Sequence, residues 1–223
     1  MVDMVLRILE GLGTTVSVYL VTILFSIPLG MLVAIWKVSS KHRTVQKVID
    51  SYITLFRGTP LLLQLYFVYF GLRGIFLVVG GYELQPFGFL NDFGAASIAF
   101  VLNYTAYFAE IFRGGIQAVD RGQYEAAKAV GLTYWQSMFY VIIPQSLRAV
   151  LPSVGNESVV LIKDTALVAT IAMGDLLRNS KEIVTREATI VPFIIVAIIY
   201  LILSAIVTRF FRYIEDKLQQ KYL

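Results

Sequence analysis

The chain has 223 residues, 57% of them hydrophobic and 15% charged, with a formal net charge of +4 and a mean hydropathy of +0.73. A soluble domain carries roughly 25% charged residues, so this composition excludes an ordinary soluble enzyme and points to a membrane protein. Without cysteine there are no disulfides and no thiolate metal sites; the single histidine, His42, lies in a basic loop and reads as solvated rather than metal-bound.

A bilayer core of about 30 Å is crossed by about 20 apolar residues. Residues 11–36 run without a charge or a histidine. This apolar run is longer than the roughly 7–15 residues of a signal-peptide core, so a retained membrane helix is expected. After the basic loop comes Arg57-Gly58-Thr59-Pro60, a charge and a breaker pair at the expected cytoplasmic start of a second span over 58–72. Snorkelling of Arg57 and a helix kink account for that group, with a dimer contact as the alternative. Residues 72–92 read as the main external loop, with "IFLVV" either a short interfacial segment or an extension of the second helix. The third span covers 93–109; on it Tyr104 and Tyr107 share a face, either lining a passage or packing in the core. Glu110 and Arg113, three apart, suit an i, i+3 ion pair.

The fourth uncharged run is 188–208, and a further span near 149–174 is interrupted by Glu157, Lys163 and Asp164. The expectation is an all-α polytopic membrane protein with about five transmembrane helices, in one domain over 1–223. Glu157 falls about 12 Å into its span at a rise of about 1.5 Å per residue, where an acid is costly and faces a partner or a cavity. One reading is an internal ion pair or a protonated carboxyl. The other presents Asn156, Glu157 and Ser158 to a passage, where a carboxylate holds an ammonium or guanidinium group. Asp164 with Thr165 also suits the start of a new helix.

The positive residues sort by side. Lys37, Lys41, Arg43, Lys47, Arg113, Arg121, Lys128, Arg148, Arg209, Arg212, Lys217 and Lys221 fall on one side; Arg7, Arg73, Arg178, Lys181 and Arg186 fall on the other. Short-loop Lys/Arg bias marks the cytoplasmic face, which puts the N-terminus outside and the C-terminus inside. The excess positive charge faces the lipid surface and gives no reason to invoke nucleic acid.

Residues 114–148 are then the largest cytoplasmic feature. Within 122–140, Ala126, Ala127, Val130, Tyr134 and Met138 fall near one helical face, Gly131 suits a sharp turn, and Pro144 cannot continue a hydrogen-bonded helix comfortably. The spacing predicts helix, turn, second helix, then a proline and a return to the membrane. By spacing alone this is an amphipathic element at the lipid surface.

The same stretch resembles a family signature: E-A-A, three residues, G, nine residues, I-x-L-P, found in membrane subunits of ATP-binding-cassette importers. Here it reads Glu125-Ala126-Ala127, Gly131 and Val141-Ile142-Ile143-Pro144. "FRGTPLLLQL", "NYTAYFAEIFRGGIQAV" and "NESVVLIKDTALVATIAMGDLL" are similar to the subfamily that imports polar amino acids, with Asn103-Tyr104 where small residues are common and Ala166 where serine is common.

The resemblance implies a type I importer fold in a prokaryotic cell membrane, with a coupling helix pair over about 120–144. That pair docks, through Glu125, Ala126, Ala127, Gly131 and Pro144, on one of two cytoplasmic ATP-binding subunits. Glu125 either pairs with a base of that subunit or caps its own helix. Further implied partners are a second permease, identical or homologous, an extracytoplasmic substrate-binding protein and an amino acid.

No phosphate-binding G-x-x-x-x-G-K-[ST] occurs in the chain, so ATP and Mg are expected on the partner ATPase and no cofactor or metal in this chain. Substrate contacts are expected from Asn156, Glu157, Ser158, Tyr104 and Tyr107. A buried acid favours arginine, lysine or histidine, although any amino acid carries an α-ammonium; Lys163 and backbone amides are the candidate donors to its carboxylate. The alternative from a different class is an ion or solute channel with Glu157 in a selectivity site. An embedded enzyme lacks a visible nucleophile–base pair.

Overall fold

Apolar helices gain nothing by hiding from lipid, so their packing rests on shape, small residues and the few polar groups they carry. The computed structural model describes residues 1–71 and 91–220, and every regular element among them is helical. In order these are α1 (Val2–Leu9), α2 (Leu12–Ser39), α3 (Arg43–Gly58) and α4 (Leu61–Tyr66, prolonged by a π-helical turn, Phe67–Gly71). Then come α5 (Asp92–Ala118), α6 (Arg121–Ala129), α7 (Tyr134–Ser137) and a second π-helical turn, Met138–Ile142. The chain continues as α8 (Ile143–Asp164) with a 3-10 tail (Thr165–Ile171), α9 (Leu176–Glu187) and α10 (Val191–Gln220). The reading of 72–92 as an interfacial segment or helix extension lies outside the described residues, apart from Asn91 and Asp92.

The α1–α2 unit, α5 and α10 are each long and apolar enough to cross a membrane, and α3 with α4 makes a fourth span if the pair counts as one helix bent by 105°. The interrupted span expected near 149–174 falls on α8 with its 3-10 tail, which among the described residues is helical but is not one of the helices apolar enough to cross by composition. One expectation changes. The run over 58–72 does not continue as one straight helix: α3 ends at Gly58, α4 begins at Leu61, and Arg57 stands in the last turn before the break. Thr59 precedes a proline and is extended, at φ −117° and ψ 146°, because the proline ring clashes with a helical residue before it.

α5 is the hub, started by Asn91, whose side chain accepts from the Gly94 N–H at 2.8 Å. α2 lies along it through Thr22, Ser26, Gly30 and Ala34, a buried row spaced by four residues. A Cβ on Gly30 would stand 2.7 Å from Cβ of Phe108 and 3.0 Å from the Ala109 nitrogen. That seam is close enough for backbone to touch side chain, which is how helices associate where water does not drive them together. α8 crosses α5 similarly: a Cβ on Gly115 would meet Cγ1 of Val150 at 2.2 Å.

The two ends of the bundle are tied separately. At one, Tyr134 Oη donates to Ser39 Oγ at 2.9 Å, joining α7 to the end of α2. Lys37 Nζ lies 2.6 Å from Asp50 and 3.8 Å from Glu110, and Glu110 binds Arg113 as the i, i+3 pair expected from sequence. At the opposite end, Asn179 Nδ2 donates to the Arg7 carbonyl at 3.0 Å, and Asp175 is fully buried against Gly11.

Candidate functional site

The break between α3 and α4 faces the middle of α5. A helix end inside lipid must have its carbonyls satisfied by other protein groups, and two amides do this. Gln64 Nε2 donates to the carbonyls of Phe56 at 2.9 Å and Thr59 at 3.0 Å, and to Thr59 Oγ1 at 2.8 Å. Asn103 Nδ2, from α5, donates to the Phe56 carbonyl at 3.0 Å and to Gln64 Oε1 at 2.9 Å. The guanidinium carbon of Arg57 rests 5.3 Å above the Tyr107 ring, a cation–π contact. Arg57 is exposed toward the cavity and rests on this aromatic face.

Opposite the break, α8 presents Glu157, Val160 and Asp164, at i, i+3 and i+7 and so on one side of the helix. Tyr104 Oη donates to Asp164 Oδ2 at 2.7 Å, which fixes Asp164 level with the middle of α5. Asp164 also sits at the junction of α8 and its 3-10 tail, but its side chain caps no backbone N–H there; the tyrosine holds it instead. Between these walls lies a partly open cavity of about 360 Å³, lined by Arg57–Leu61, Asn103, Tyr104, Tyr107, Glu157, Val160 and Asp164. Among the described residues Glu157 makes no hydrogen bond or ion pair, and Arg57 makes no ion pair. Two acids and one base thus share a small chamber without neutralising each other at contact distance.

Three of the residues expected at a substrate site, Tyr104, Tyr107 and Glu157, meet in this cavity. The other two do not line it. Asn156 is exposed on the adjacent side of α8, and Ser158 is fully buried, donating to the Val154 carbonyl at 2.7 Å. Residues consecutive in a helix point about 100° apart, so one acid and both its neighbours cannot share a wall. Arg57, Asn103 and Asp164 were not expected there. The i, i+7 spacing of Glu157 and Asp164 was a usable signal; the partnership of Arg57 with them was not, because it depends on the fold of the break.

The semi-polar stretch forms two short helices on the end of the bundle that carries Ser39. Asp120 caps α6, its side chain accepting from Gly122 N–H at 2.7 Å. Glu125, a turn further on, is exposed and is not that cap. α6 closes with Leu132 N–H donating to the Ala127 carbonyl at 3.0 Å and Gly131 at φ +83°, a left-handed position that favours glycine. Thr133 and Gln136 then form a reciprocal capping box for α7. Of the face expected from spacing, Ala127 and Met138 are buried while Ala126, Val130 and Tyr134 are exposed. Pro144 stands in the first turn of α8, after a π-helical turn, where its missing N–H costs no intrahelical bond.

Residues 26–220 match the family described as binding-protein-dependent transport system inner membrane component. The chain is 38% identical over 216 residues to the arginine transport system permease protein ArtQ of Bacillus subtilis, covering 95% of this chain and 92% of that protein. It is 36% identical over 219 residues to a putative glutamine transport system permease protein GlnP of Rickettsia bellii, covering 96% and 94%. In structure it resembles an amino acid ABC transporter solved with histidines, with a TM-score of 0.84, 35% identity, and 97% and 96% of the two chains aligned.

Proposed function

The chain belongs to the family of binding-protein-dependent transport system inner membrane components, and from that premise we propose that it carries amino acids with a cationic side chain through the cavity at the α3–α4 break. It is the membrane-spanning permease of an amino acid ABC importer. The arginine and glutamine relatives have different cargoes, so the side-chain preference is argued from the cavity. The observation that carries it is the set of ionisable groups lining that chamber: Glu157 and Asp164 against Arg57. An α-amino acid offers an ammonium and a carboxylate, which match one acid and the base. The second acid then remains for a guanidinium, ammonium or imidazolium group. Tyr107 holds Arg57 over its ring and Tyr104 holds Asp164 through its hydroxyl, so both tyrosines position the charges that meet the substrate.

The orientation follows from the charge bias. The end with Ser39, α6 and α7 is cytoplasmic, and the end with α1 and α9 is external, so the N-terminus is outside and the C-terminus inside. α6 and α7, within about 120–144, dock on a cytoplasmic ATPase that binds ATP and Mg. Glu125 and Ala126 are the exposed contacts, and Gly131 and Pro144 set the angle of the pair. An external binding protein delivers the amino acid, and a second permease, in our reading another copy of this chain, faces the first. ATP-driven movement of the docked helices is passed to α8 through the turn that ends at Pro144, which alternates access to the cavity.

Uptake into proteoliposomes of the assembled transporter tests the specificity. Glu157→Gln keeps the size of the side chain and removes its charge. Selective loss of arginine and lysine uptake is expected, by about tenfold or more for a lost charge-assisted bond. Equal loss of arginine and glutamine uptake would assign Glu157 to the α-ammonium, and unchanged uptake of both would make it structural. A conductance that needs no ATP would favour a channel.

A further inference from the structure

One charge at this depth is left over. Lys163 adjoins Asp164, is exposed, and makes no ion pair among the described residues. It belongs to a row along α8, Ala149, Pro152, Ser153, Asn156, Val160 and Lys163, in which every residue is exposed. At about 100° per residue these fall within about a third of the helix circumference. An asparagine and a lysine in the middle of a membrane helix do not face lipid; such groups turn toward protein or a water-filled space. The row adjoins the cavity, with Val160 common to both.

The position of the acids relative to this row matters. Around the helix axis Lys163 stands on one flank of the row, while Glu157 and Asp164 stand on the opposite flank. Two copies related by a two-fold axis along the membrane normal hold their α8 helices parallel and at equal height. If the rows face each other, the Lys163 flank of one copy lies opposite the acidic flank of the other, and the reverse contact follows by symmetry. The charges then balance, because Arg57 and Lys163 offset Glu157 and Asp164 in each half.

We propose that Lys163 acts across the two-fold axis. It reaches the other copy's cavity, neutralises Glu157 and Asp164 while the cavity is empty, and yields to the cationic group of the substrate. This rests on the amino acid reading above and on pairing with a second copy, and it adds that each site is complete only when the other permease is present.

The chain has no cysteine, which allows a direct test in membranes. Two differently tagged copies, one carrying Lys163→Cys and the other Glu157→Cys, are expressed together with the ATPase and treated with a short thiol-specific cross-linker. A cross-linked pair carrying both tags is expected, with Leu201→Cys in place of Lys163→Cys as the negative control. Copies that co-purify without this cross-link, or that do not associate, would overturn the proposal. In the assembled transporter Lys163→Met is expected to tighten arginine binding about tenfold, and Lys163→Arg to leave it within about twofold, since arginine retains the charge. Unchanged or weakened binding in Lys163→Met would also overturn it. A wild-type transporter that binds no arginine would defeat the substrate reading alone, and the cross-link would still decide the position of Lys163.

Discussion

α5 and α10 both cross the membrane, and they use their residues in opposite ways. The most apolar stretch of α10 is 17% buried within the chain, while that of α5 is 67% buried. α10, the more hydrophobic helix, displays Leu201 at 69% and Ile206 at 59% exposure. α5 buries Asn103, Tyr104 and Thr105 together with Phe100 and Phe108. In water the greasier helix would take the centre. In lipid, apolar surface is already at home, so the centre goes to the helix whose polar groups need partners and whose small residues permit contact. The candidate site is consequently built on α5 and not on the helix that looks most like a membrane anchor.

The largest expected effect on this comparison comes from the α2–α5 seam. Gly30→Leu drives a side chain into Phe108 and the Ala109 backbone, and a loss of about 3 kcal/mol is expected from overpacking. Unfolding in mixed micelles would measure it. A change below about 1 kcal/mol would mean that the seam relaxes and α5 is not a rigid hub.

A smaller effect is expected inside the polar part of α5. Asn103→Ala leaves the Phe56 carbonyl with Gln64 as its remaining side-chain donor and leaves Gln64 Oε1 without this partner. About 1 kcal/mol of stability should be lost, the scale of hydrogen bonds in membrane helices, with a larger loss of arginine uptake because the break that carries Arg57 loosens. Loss of stability without loss of uptake would separate the break from the site.

Asp175 stands at the end of the bundle opposite Ser39, beside Gly11 and Thr15 of the α1–α2 unit and near Tyr200 of α10. Burial holds its carboxyl above the ordinary range, opposed by hydrogen bonds from the Arg178 and Leu177 N–H groups and by the charge of Arg178. The fold then binds this proton more tightly than the unfolded chain does. Its contribution is fully present below the ordinary carboxyl value of about 3.9 and is lost as pH rises through the raised value. Thermal unfolding in detergent between acid and neutral pH should show that slope in the native protein and a flatter profile in Asp175→Asn. An identical slope in both would assign the pH dependence to other carboxyls.

The smallest effect should come from α10. Leu201→Ala removes a side chain that touches lipid or a partner rather than this chain's core, and subunit stability should stay within about 0.5 kcal/mol. A loss as large as that of Gly30→Leu would erase the contrast between the helices.

Much of this was legible along the chain. Uncharged runs place the spans because their length must match the bilayer. Asp120, Gly131, Thr133 and Pro144 write the helix–turn–helix of the semi-polar stretch in local terms, since caps and left-handed turns depend on neighbours in sequence. The Glu110–Arg113 pair was legible for the same reason. Arg57 was not. Its sequence context suits a helix end, and only the docking of α3 on α5 brings it over Tyr107, near the middle of α5. Asn156 and Ser158 were placed with Glu157 by adjacency, whereas helical geometry sends the three side chains in different directions.

Sequence by itself determined that the chain lies in a membrane, roughly where most of its apolar helices run, and which signature its semi-polar stretch carries, all consequences of composition and short-range backbone chemistry. Tertiary structure alone decided which polar residues meet. Arg57, Asn103, Glu157 and Asp164 come from three segments of the chain, and their cavity exists because Gln64 and Asn103 satisfy the carbonyls of a helix broken inside the membrane. No local pattern encodes that encounter, because a broken helix in lipid is stable only when another segment supplies the missing hydrogen bonds.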